Sequence, residues 1–272
     1  MLSVRTNRTR RSLTIPFASG VGAVLSADIA VPEHEREVRF YSRVLPTGER
    51  PLWNTDLMNN QGTPIIGLGA RTEEYATLPL QWMPHIQVTD VAASAQRAIE
   101  LGGSELMHHR GADGASEWAV LIDPNGAAFG IVAVVPAEAI PATSVEAEPV
   151  GRIAWLDLTV RDATTTRDFY REVIGWTAQD LAMKDQADSY ADYMMLGDTG
   201  EPAAGVCHAR GPNADLPPVW LIYLPVGDLD ESLKRVEAEG GRVLKATRGK
   251  NGNYTYAVIQ DPVGAFVALA PG

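Results

Sequence analysis

The chain has 272 residues, of which 45% are hydrophobic and 21% charged, with a net charge of −11 and one cysteine. This length fits one large domain or two of ordinary size, and the hydrophobic content excludes a chain that is disordered throughout. The single cysteine, Cys207, excludes an intrachain disulfide and a cysteine-based zinc or iron–sulfur cluster, and it fits a reducing, cytoplasmic compartment. The acidic balance repels phosphate backbones, which argues against nucleic acid as the main partner.

The N-terminal segment is basic, with Arg5, Arg8, Arg10 and Arg11 in its first eleven positions. Two adjacent arginines followed by the apolar stretch 13–27 resemble a twin-arginine export signal. The alternative is a disordered arm over residues 1–19, which we favour because cleavage after Ala27 would destroy a strand that the fold needs. No apolar run reaches the roughly 18 residues of a membrane span, so no membrane partner is expected.

Short strands and helices alternate along the rest of the chain. Apolar patterns predict opening strands at 24–31, 83–89, 153–160 and 219–226. A helix over 91–101 closes at Gly102-Gly103, and Asp162 and Asp228 occupy predicted N-cap positions. Further strands follow each helix, and the last of them are predicted at 65–70, 127–135, 203–208 and 265–270. Segment 136–150 contains three prolines and few large apolar side chains, and is predicted to be a linker.

The chain contains internal repeats at constant offsets. Asp28 and Tyr41 recur at 157 − 28 = 129 and 170 − 41 = 129 residues further on. Residues 86–132 match 224–270 at an offset of 138, which includes Gly102-Gly103/Gly240-Gly241 and Asp123-Pro124/Asp261-Pro262. These offsets predict a first domain over 20–135, with modules 20–80 and 81–135, and a second over 151–272, with modules 151–215 and 216–272.

The motifs within the modules resemble those of a known superfamily. Phe-Tyr on the first helix, a helix ending in Gly-Gly, and Asp-Pro-x-Gly-Ala before the last strand are similar to the vicinal oxygen chelate superfamily of glyoxalase I, bleomycin-resistance proteins and extradiol dioxygenases. Nearly the whole chain is covered, and the two-domain, hydroxylase-like branch is the most similar. The resemblance implies an α+β fold of four βαβββ modules, whose strands form two half-barrels around ligand cavities.

The resemblance also implies where a divalent metal would be held. The first-strand ligand lies five residues before the valine of each opening strand, at Ser26, Met83, Trp155 and Leu221, and the last-strand ligand falls at Gly130 and Ala268. None of these side chains is an imidazole or carboxylate. We therefore expect no catalytic metal and no other cofactor, and neither glyoxalase I nor dioxygenase activity.

Strand alternation then indicates which residues share the cavity with those positions. If consecutive modules pair, Ser26, Asp28, Met83 and His85 share one cavity, and Trp155, Asp157, Leu221 and Tyr223 share the other; a swapped pairing would exchange these partners. His85 with Asp28 could act as general base and orienting partner. The alternative is structural: such groups often satisfy backbone donors or hold water. For Asp157 with Tyr223, a structural or ligand-binding role is favoured.

Other candidates lie at the cavity mouth or on single strands. His108 and His109 are expected in a loop between strands, where they could line the mouth of the first cavity; a solvated pair in the loop is the favoured alternative. Trp118 either packs on the sheet or lines the cavity. His208 ends a strand, and a single histidine without partners makes no metal site.

Two functional classes remain open for a small apolar or aromatic ligand. The first is a secondary-metabolism tailoring enzyme using acid–base chemistry, in isomerisation, cyclisation, ring opening or assisted hydroxylation. The second is a protein that sequesters a metabolite or drug without reaction. A weaker third is that one half has lost its cavity, because Leu45-Pro46-Thr47-Gly48 departs from the Leu-Gly-Trp pattern that Ile174-Gly175-Trp176 keeps. The sequence leaves open whether the protein forms a homodimer.

Overall fold

The computed structural model describes residues 18–45, 53–54, 57–60, 63–139, 153–185 and 188–272. The basic arm up to residue 17 and most of the predicted linker, 140–150, lie outside these residues. Within the described ranges, no helix combines the length and hydropathy that crossing a membrane requires.

The first half of the chain forms one eight-stranded sheet with two helices. Its elements are β1 (Val24–Val31), α1 (His34–Val44), β2 (Trp53–Asn54), β3 (Leu57–Asn60), β4 (Thr63–Ala70), β5 (Met83–Val88), α2 (Val91–Glu100), β6 (Ser104–Arg110), β7 (Ser116–Ile122) and β8 (Ala128–Ala133). The strand order is β2-β3-β4-β1-β5-β8-β7-β6. Strands β1 and β5 are antiparallel neighbours at the centre, so the two consecutive modules pair with each other.

The second half repeats this arrangement. Its elements are β9 (Trp155–Val160), α3 (Ala163–Ile174), β10 (Thr177–Lys184), β11 (Ser189–Leu196), β12 (Pro202–His208), β13 (Trp220–Val226), α4 (Leu229–Ala238), β14 (Arg242–Arg248), β15 (Tyr254–Gln260) and β16 (Phe266–Pro271). The order β10-β11-β12-β9-β13-β16-β15-β14 again places two opening strands at the centre. The predicted α+β class with two half-barrel-like domains is confirmed.

Local sequence explains where the helices begin and end. The carboxylates of Asp90, Asp162 and Asp228 accept hydrogen bonds from backbone N–H groups three residues later, at 2.9, 2.9 and 3.0 Å. Helix α3 ends at Gly175, whose φ of 88° is left-handed and suits a residue without a Cβ. Helix α1 differs, because Glu33 at its N-cap makes no capping bond.

The repeated motifs meet between the two halves. Helix α1 packs against α4 and α2 against α3. The Tyr41 hydroxyl donates to the Asp261 carboxylate at 2.9 Å, and the Tyr170 hydroxyl donates to Asp123 at 3.3 Å. A Cβ on Gly241 would lie 2.9 Å from the Phe40 ring, so this glycine admits the aromatic side chain of the other half. The Phe-Tyr, Gly-Gly and Asp-Pro motifs therefore hold the halves together.

One expectation of secondary structure is wrong. His108 and His109 lie within strand β6 and not in a loop, because the turn of the hairpin comes later, at 111–115. In this strand His108 is opposite Ala119 and His109 opposite Trp118.

Candidate functional site

Each sheet has one face against the helices and one face without them, which we call the open face. In β1 the alternate residues Ala27, Ile29 and Val31 join the core with the helices. Their neighbours Ser26 and Asp28 therefore point to the open face. Ser26 lies opposite His85 and Asp28 opposite Met83, so the four residues expected in the first cavity share this face.

An imidazole and a carboxylate meet at the centre of the first open face. His85 Nε2 lies 3.1 Å from Asp28 Oδ2, and the two side chains are 19% and 45% exposed. The imidazole also covers Gly130 on β8, because a Cβ built at that position would come within 2.9 Å of the ring. The absence of a side chain at 130 therefore makes room for His85.

Apolar side chains surround this pair on one side. Met83, Val120 and Ala128 are buried there together with Leu78, which belongs to the segment between β4 and β5. Trp118 packs against the same cluster, and the His109 ring stacks on it at a centroid distance of 5.4 Å. The open face of the first half thus places a buried apolar cluster and the partly exposed Trp118 beside an imidazole–carboxylate pair.

The two adjacent histidines of β6 have different surroundings. His108 is held by Glu105 at Nδ1 and by the Ser116 hydroxyl at Nε2, both at 2.8 Å. It lies opposite the buried Ala119, on the other side of the strand from Trp118. The structure therefore brings His109 and Trp118 together and separates His108 from them.

The second open face carries a carboxylate among aromatic groups. Leu221 lies opposite Asp157 and Tyr223 opposite Trp155, so these four residues also share one face. Asp157 accepts a hydrogen bond from Trp155 Nε1 at 2.7 Å. Burial raises the pKa of Asp157 to about 6, against the opposing effect of hydrogen bonds from Trp155 and Tyr223. The same burial, together with the charge of Asp157, raises the pKa of Tyr223 well above its usual value, so its phenol stays protonated.

A loop covers part of this second face. Leu216 and Val219, which lie between β12 and β13, pack on the cluster of Leu221, Val258 and Ala268. Lys245 Nζ donates to Pro212 O at 2.8 Å and to Asn213 Oδ1 at 2.7 Å. We call residues 209–219 the covering loop. No spacing in the sequence indicated that Lys245 holds it, because the contact joins residues more than 30 positions apart.

The positions at which the resemblance implies metal ligands can be compared with the side chains that occupy them. In the first half they hold the hydroxyl of Ser26, the thioether of Met83 and the bare backbone of Gly130. In the second half they hold Trp155 and the buried apolar side chains of Leu221 and Ala268. Divalent catalytic metals take imidazole, carboxylate or water ligands, so these positions do not fit such a metal.

Each half of the chain matches a known family model of its own. Residues 152–269 match the model of the Glyoxalase/Bleomycin resistance protein/Dioxygenase superfamily, and residues 25–132 match that of a Glyoxalase-like domain. The chain belongs to the glyoxalase/bleomycin resistance/dioxygenase superfamily.

Two curated proteins are similar to the chain in sequence. "Anthracycline biosynthesis protein DauV" of Streptomyces sp. (strain C5) is 29% identical over 192 residues, which cover 69% of this chain and 64% of that protein. "Anthracycline biosynthesis protein DnrV" of Streptomyces peucetius is 30% identical over 131 residues, which cover 44% of this chain and 46% of that protein. These relatives connect the chain with proteins of secondary metabolism.

Solved structures of the superfamily share the fold. A variant of homoprotocatechuate 2,3-dioxygenase from B. fuscum aligns with a TM-score of 0.55 and 15% identity over 95% of this chain and 74% of its own. The 2,2',3-trihydroxybiphenyl 1,2-dioxygenase of Sphingomonas wittichii strain RW1 aligns with a TM-score of 0.51 and 16% identity over 94% and 91%. At these identities the likeness concerns the fold alone.

Proposed function

We propose that the first half binds a small aromatic metabolite on its open face and transfers a proton to and from it through His85 and Asp28, without a catalytic metal. The observation that carries this proposal is the 3.1 Å contact between the imidazole and the carboxylate on a face that also presents Trp118 and Met83. The reaction class is then isomerisation, cyclisation or ring opening in secondary metabolism. Hydroxylation needs an oxidant as co-reactant and is not part of the proposal.

The chemistry follows from which ring nitrogen is occupied. In the proposed reaction the neutral ring carries its hydrogen on Nε2, the nitrogen that lies 3.1 Å from Asp28 Oδ2, and the Nδ1 lone pair of His85 accepts the substrate proton. A substrate C–H or O–H bond breaks, its electron pair stays on the substrate, and the proton moves to Nδ1. Asp28 stabilises the imidazolium until the proton returns to a different atom of the substrate.

The substrate class is supported by the surroundings and by the relatives. Trp118 is partly exposed and offers aromatic surface on the same face as the histidine, packed on the buried apolar side chains of Met83 and Val120. DauV and DnrV carry the name of anthracycline biosynthesis. An anthracycline-type aromatic ring system is therefore the ligand class that we propose.

One observation favours a second candidate, sequestration without reaction. The Asp28 side chain is 45% exposed, so water competes for its carboxylate and weakens its effect on the imidazole. A protein that only binds its ligand needs the apolar surface and no base.

Deuterium exchange into a bound probe separates these candidates. The probe is an anthracycline aglycone in D2O, its binding is measured by calorimetry, and its deuterium content by mass spectrometry. We expect the wild type to bind it and accelerate exchange at acidic C–H positions, and His85→Gln to slow exchange at least about tenfold with affinity within about threefold. EDTA treatment should leave the exchange unchanged.

Matched variants make the result specific. Asp28→Asn should slow exchange like the histidine variant, whereas Asp230→Asn, at an exposed position of α4, should behave as wild type. Binding without exchange in the wild type would favour sequestration. Equal exchange by His85→Gln and wild type, or no binding of the aglycone, would overturn the proposal.

A further inference from the structure

A second imidazole–carboxylate pair lies in the second half, at the end of β12. Asp192 on β11 is buried, and its Oδ1 accepts a hydrogen bond from the backbone N–H of His208 at 2.8 Å and lies 3.2 Å from Nδ1 of the same residue. Asp192 could not be recognised as a partner of His208 from local sequence, because it is 16 residues away and reaches the histidine only through the pairing of β11 with β12.

The geometry leaves one ring nitrogen of His208 available. A carboxylate only accepts, so Nδ1 carries the hydrogen and Nε2 presents a lone pair. Among the described residues, Nε2 has no hydrogen-bond partner, and the side chain is 16% exposed. The imidazole is therefore partly open to solvent, while the buried carboxylate fixes its orientation.

Aromatic rings lie next to the imidazole. The Tyr190 ring meets the imidazole edge to face at a centroid distance of 5.6 Å, and the Tyr193 ring is tilted towards it at 6.4 Å. The Arg210 guanidinium covers the Tyr190 ring at 4.5 Å and pairs with Asp185 at 2.9 Å. An imidazole acceptor bordered by rings and a cation suits an aromatic ligand that carries a hydroxyl.

The imidazole lies on the helix-facing side of the second sheet. His208 pairs with Val160 on β9, and Val160 belongs to the core with the helices. Asp162, at the N-terminus of α3, is the other carboxylate whose charge interacts with His208. The groups near the imidazole are thus Asp192, Asp162, Tyr190, Tyr193 and, beyond the Tyr190 ring, Arg210.

We propose that His208 and Asp192 form a second ligand site, separate from His85 and Asp28, which takes the acidic hydroxyl of a phenol or enol. The ligand O–H proton moves to Nε2 of His208, the electron pair of that bond stays on the oxygen, and Asp192 stabilises the imidazolium. Release of the ligand returns the proton to the phenolate oxygen. No oxidant, metal or other co-reactant takes part.

The test uses 4-nitrophenol, whose phenolate is coloured and whose phenol is not. Bound to the wild type at a pH just below its own pKa, the probe should show more phenolate absorbance than in buffer. His208→Gln, at the partly exposed end of the strand, should bind it about tenfold more weakly and lose the added absorbance, since one hydrogen bond is removed. Asp230→Asn, at an exposed position of α4, should keep the added absorbance, which shows that its loss is specific to His208.

A second measurement on the unaltered protein guards against a folding defect in the variant. Long-range 1H–15N spectra of the histidine rings should show His208 with hydrogen on Nδ1, and the probe should shift its Nε2 signal. Hydrogen on Nε2 in the free protein, or equal nitrophenolate absorbance for wild type and His208→Gln, would overturn the proposal.

Discussion

At the centre of each open face, a polar side chain lies directly over a glycine of the neighbouring strand. His85 covers Gly130, and the Asp157 carboxylate covers Gly205 so closely that a Cβ there would come within 2.2 Å of Oδ1. Both glycines lie directly beside these residues on the neighbouring parallel strand. At the residue scale, the position of each functional group therefore depends on a missing side chain next to it.

Gly130→Ala tests this dependence in the first half. The added Cβ would lie 2.9 Å from the His85 ring, so the ring must move away from Asp28, and we expect proton-transfer activity to fall as in His85→Gln. Stability should fall by about 1–3 kcal/mol from overpacking. Ring NMR signals of His85 and urea unfolding provide the measurements.

Gly69→Ala is the matched control, because no atom of the described residues, apart from those of its chain neighbours, lies within 4 Å of a Cβ added there. If both variants keep the wild-type His85 signals, the close approach of ring and glycine is not a constraint.

The two halves hold the segments over their open faces by different contacts. In the first half, Arg71 donates to Ala76 O at 2.8 Å and to Leu78 O, within the segment itself. In the second half the contact comes from the sheet, from Lys245 to the covering loop. The repeat offset of 138 places Met107 of the first half at the position of Lys245. At the element scale, one cation therefore couples the covering loop to strand β14.

Lys245→Met, which copies the first half, should release the covering loop. Two hydrogen bonds to Pro212 and Asn213 are lost, so amide hydrogens at 211–219 should exchange at least about fivefold faster, as expected for loss of about 1 kcal/mol of local stability. Exchange followed by mass spectrometry measures this. Lys250→Met, in an exposed turn, serves as control; equal protection in all three proteins would mean that apolar packing alone holds the loop.

The halves meet at two equivalent interfaces, α1 with α4 and α2 with α3. The first of these contains a buried carboxylic acid, Glu37, that has no equivalent in the second. Glu37 on α1 is fully buried, and no described residue donates a hydrogen bond to its carboxyl oxygens, so that only protonated Glu37 can pair, with Asp261 as the acceptor. At the equivalent place in the other interface, Thr166 and Asn125 form a neutral hydrogen bond of 3.0 Å beside Asp123. Burial, and next the charge of Asp261, raise the pKa of Glu37 from 4.5 to about 8.

This shift makes the stability of the whole molecule depend on pH. Because the folded pKa is the higher one, the stabilising contribution of protonated Glu37 is fully present below about pH 4.5 and is lost as the pH rises through about 8. Relative to wild type, Glu37→Gln should therefore gain stability between pH 5 and pH 9, by on the order of 1–3 kcal/mol, the cost of an unpaired buried polar group. Urea unfolding at pH 5, 7 and 9 checks this. A constant difference between the two proteins across that range would contradict it.

Much of the fold follows from local sequence. The offsets, the aspartate caps and the Asp-Pro corners indicate modules, and the opening strands begin and end within two residues of the prediction, because alternation and capping are local effects. The location of His108 and His109 in a strand was missed, since the hairpin turn lies beyond them. The register of β6 with β7 places His109 beside Trp118 and His108 on the other side of the strand.

The sequence by itself determined the superfamily, the α+β class and the absence of metal-ligating side chains at the expected positions, because these depend on residue identity and spacing. Only the tertiary structure decided that consecutive modules share a sheet, that Asp28 contacts His85, and that His208 has Asp192 as partner. Those contacts join residues far apart in the chain, and their existence depends on strand order and register, which local periodicity does not encode.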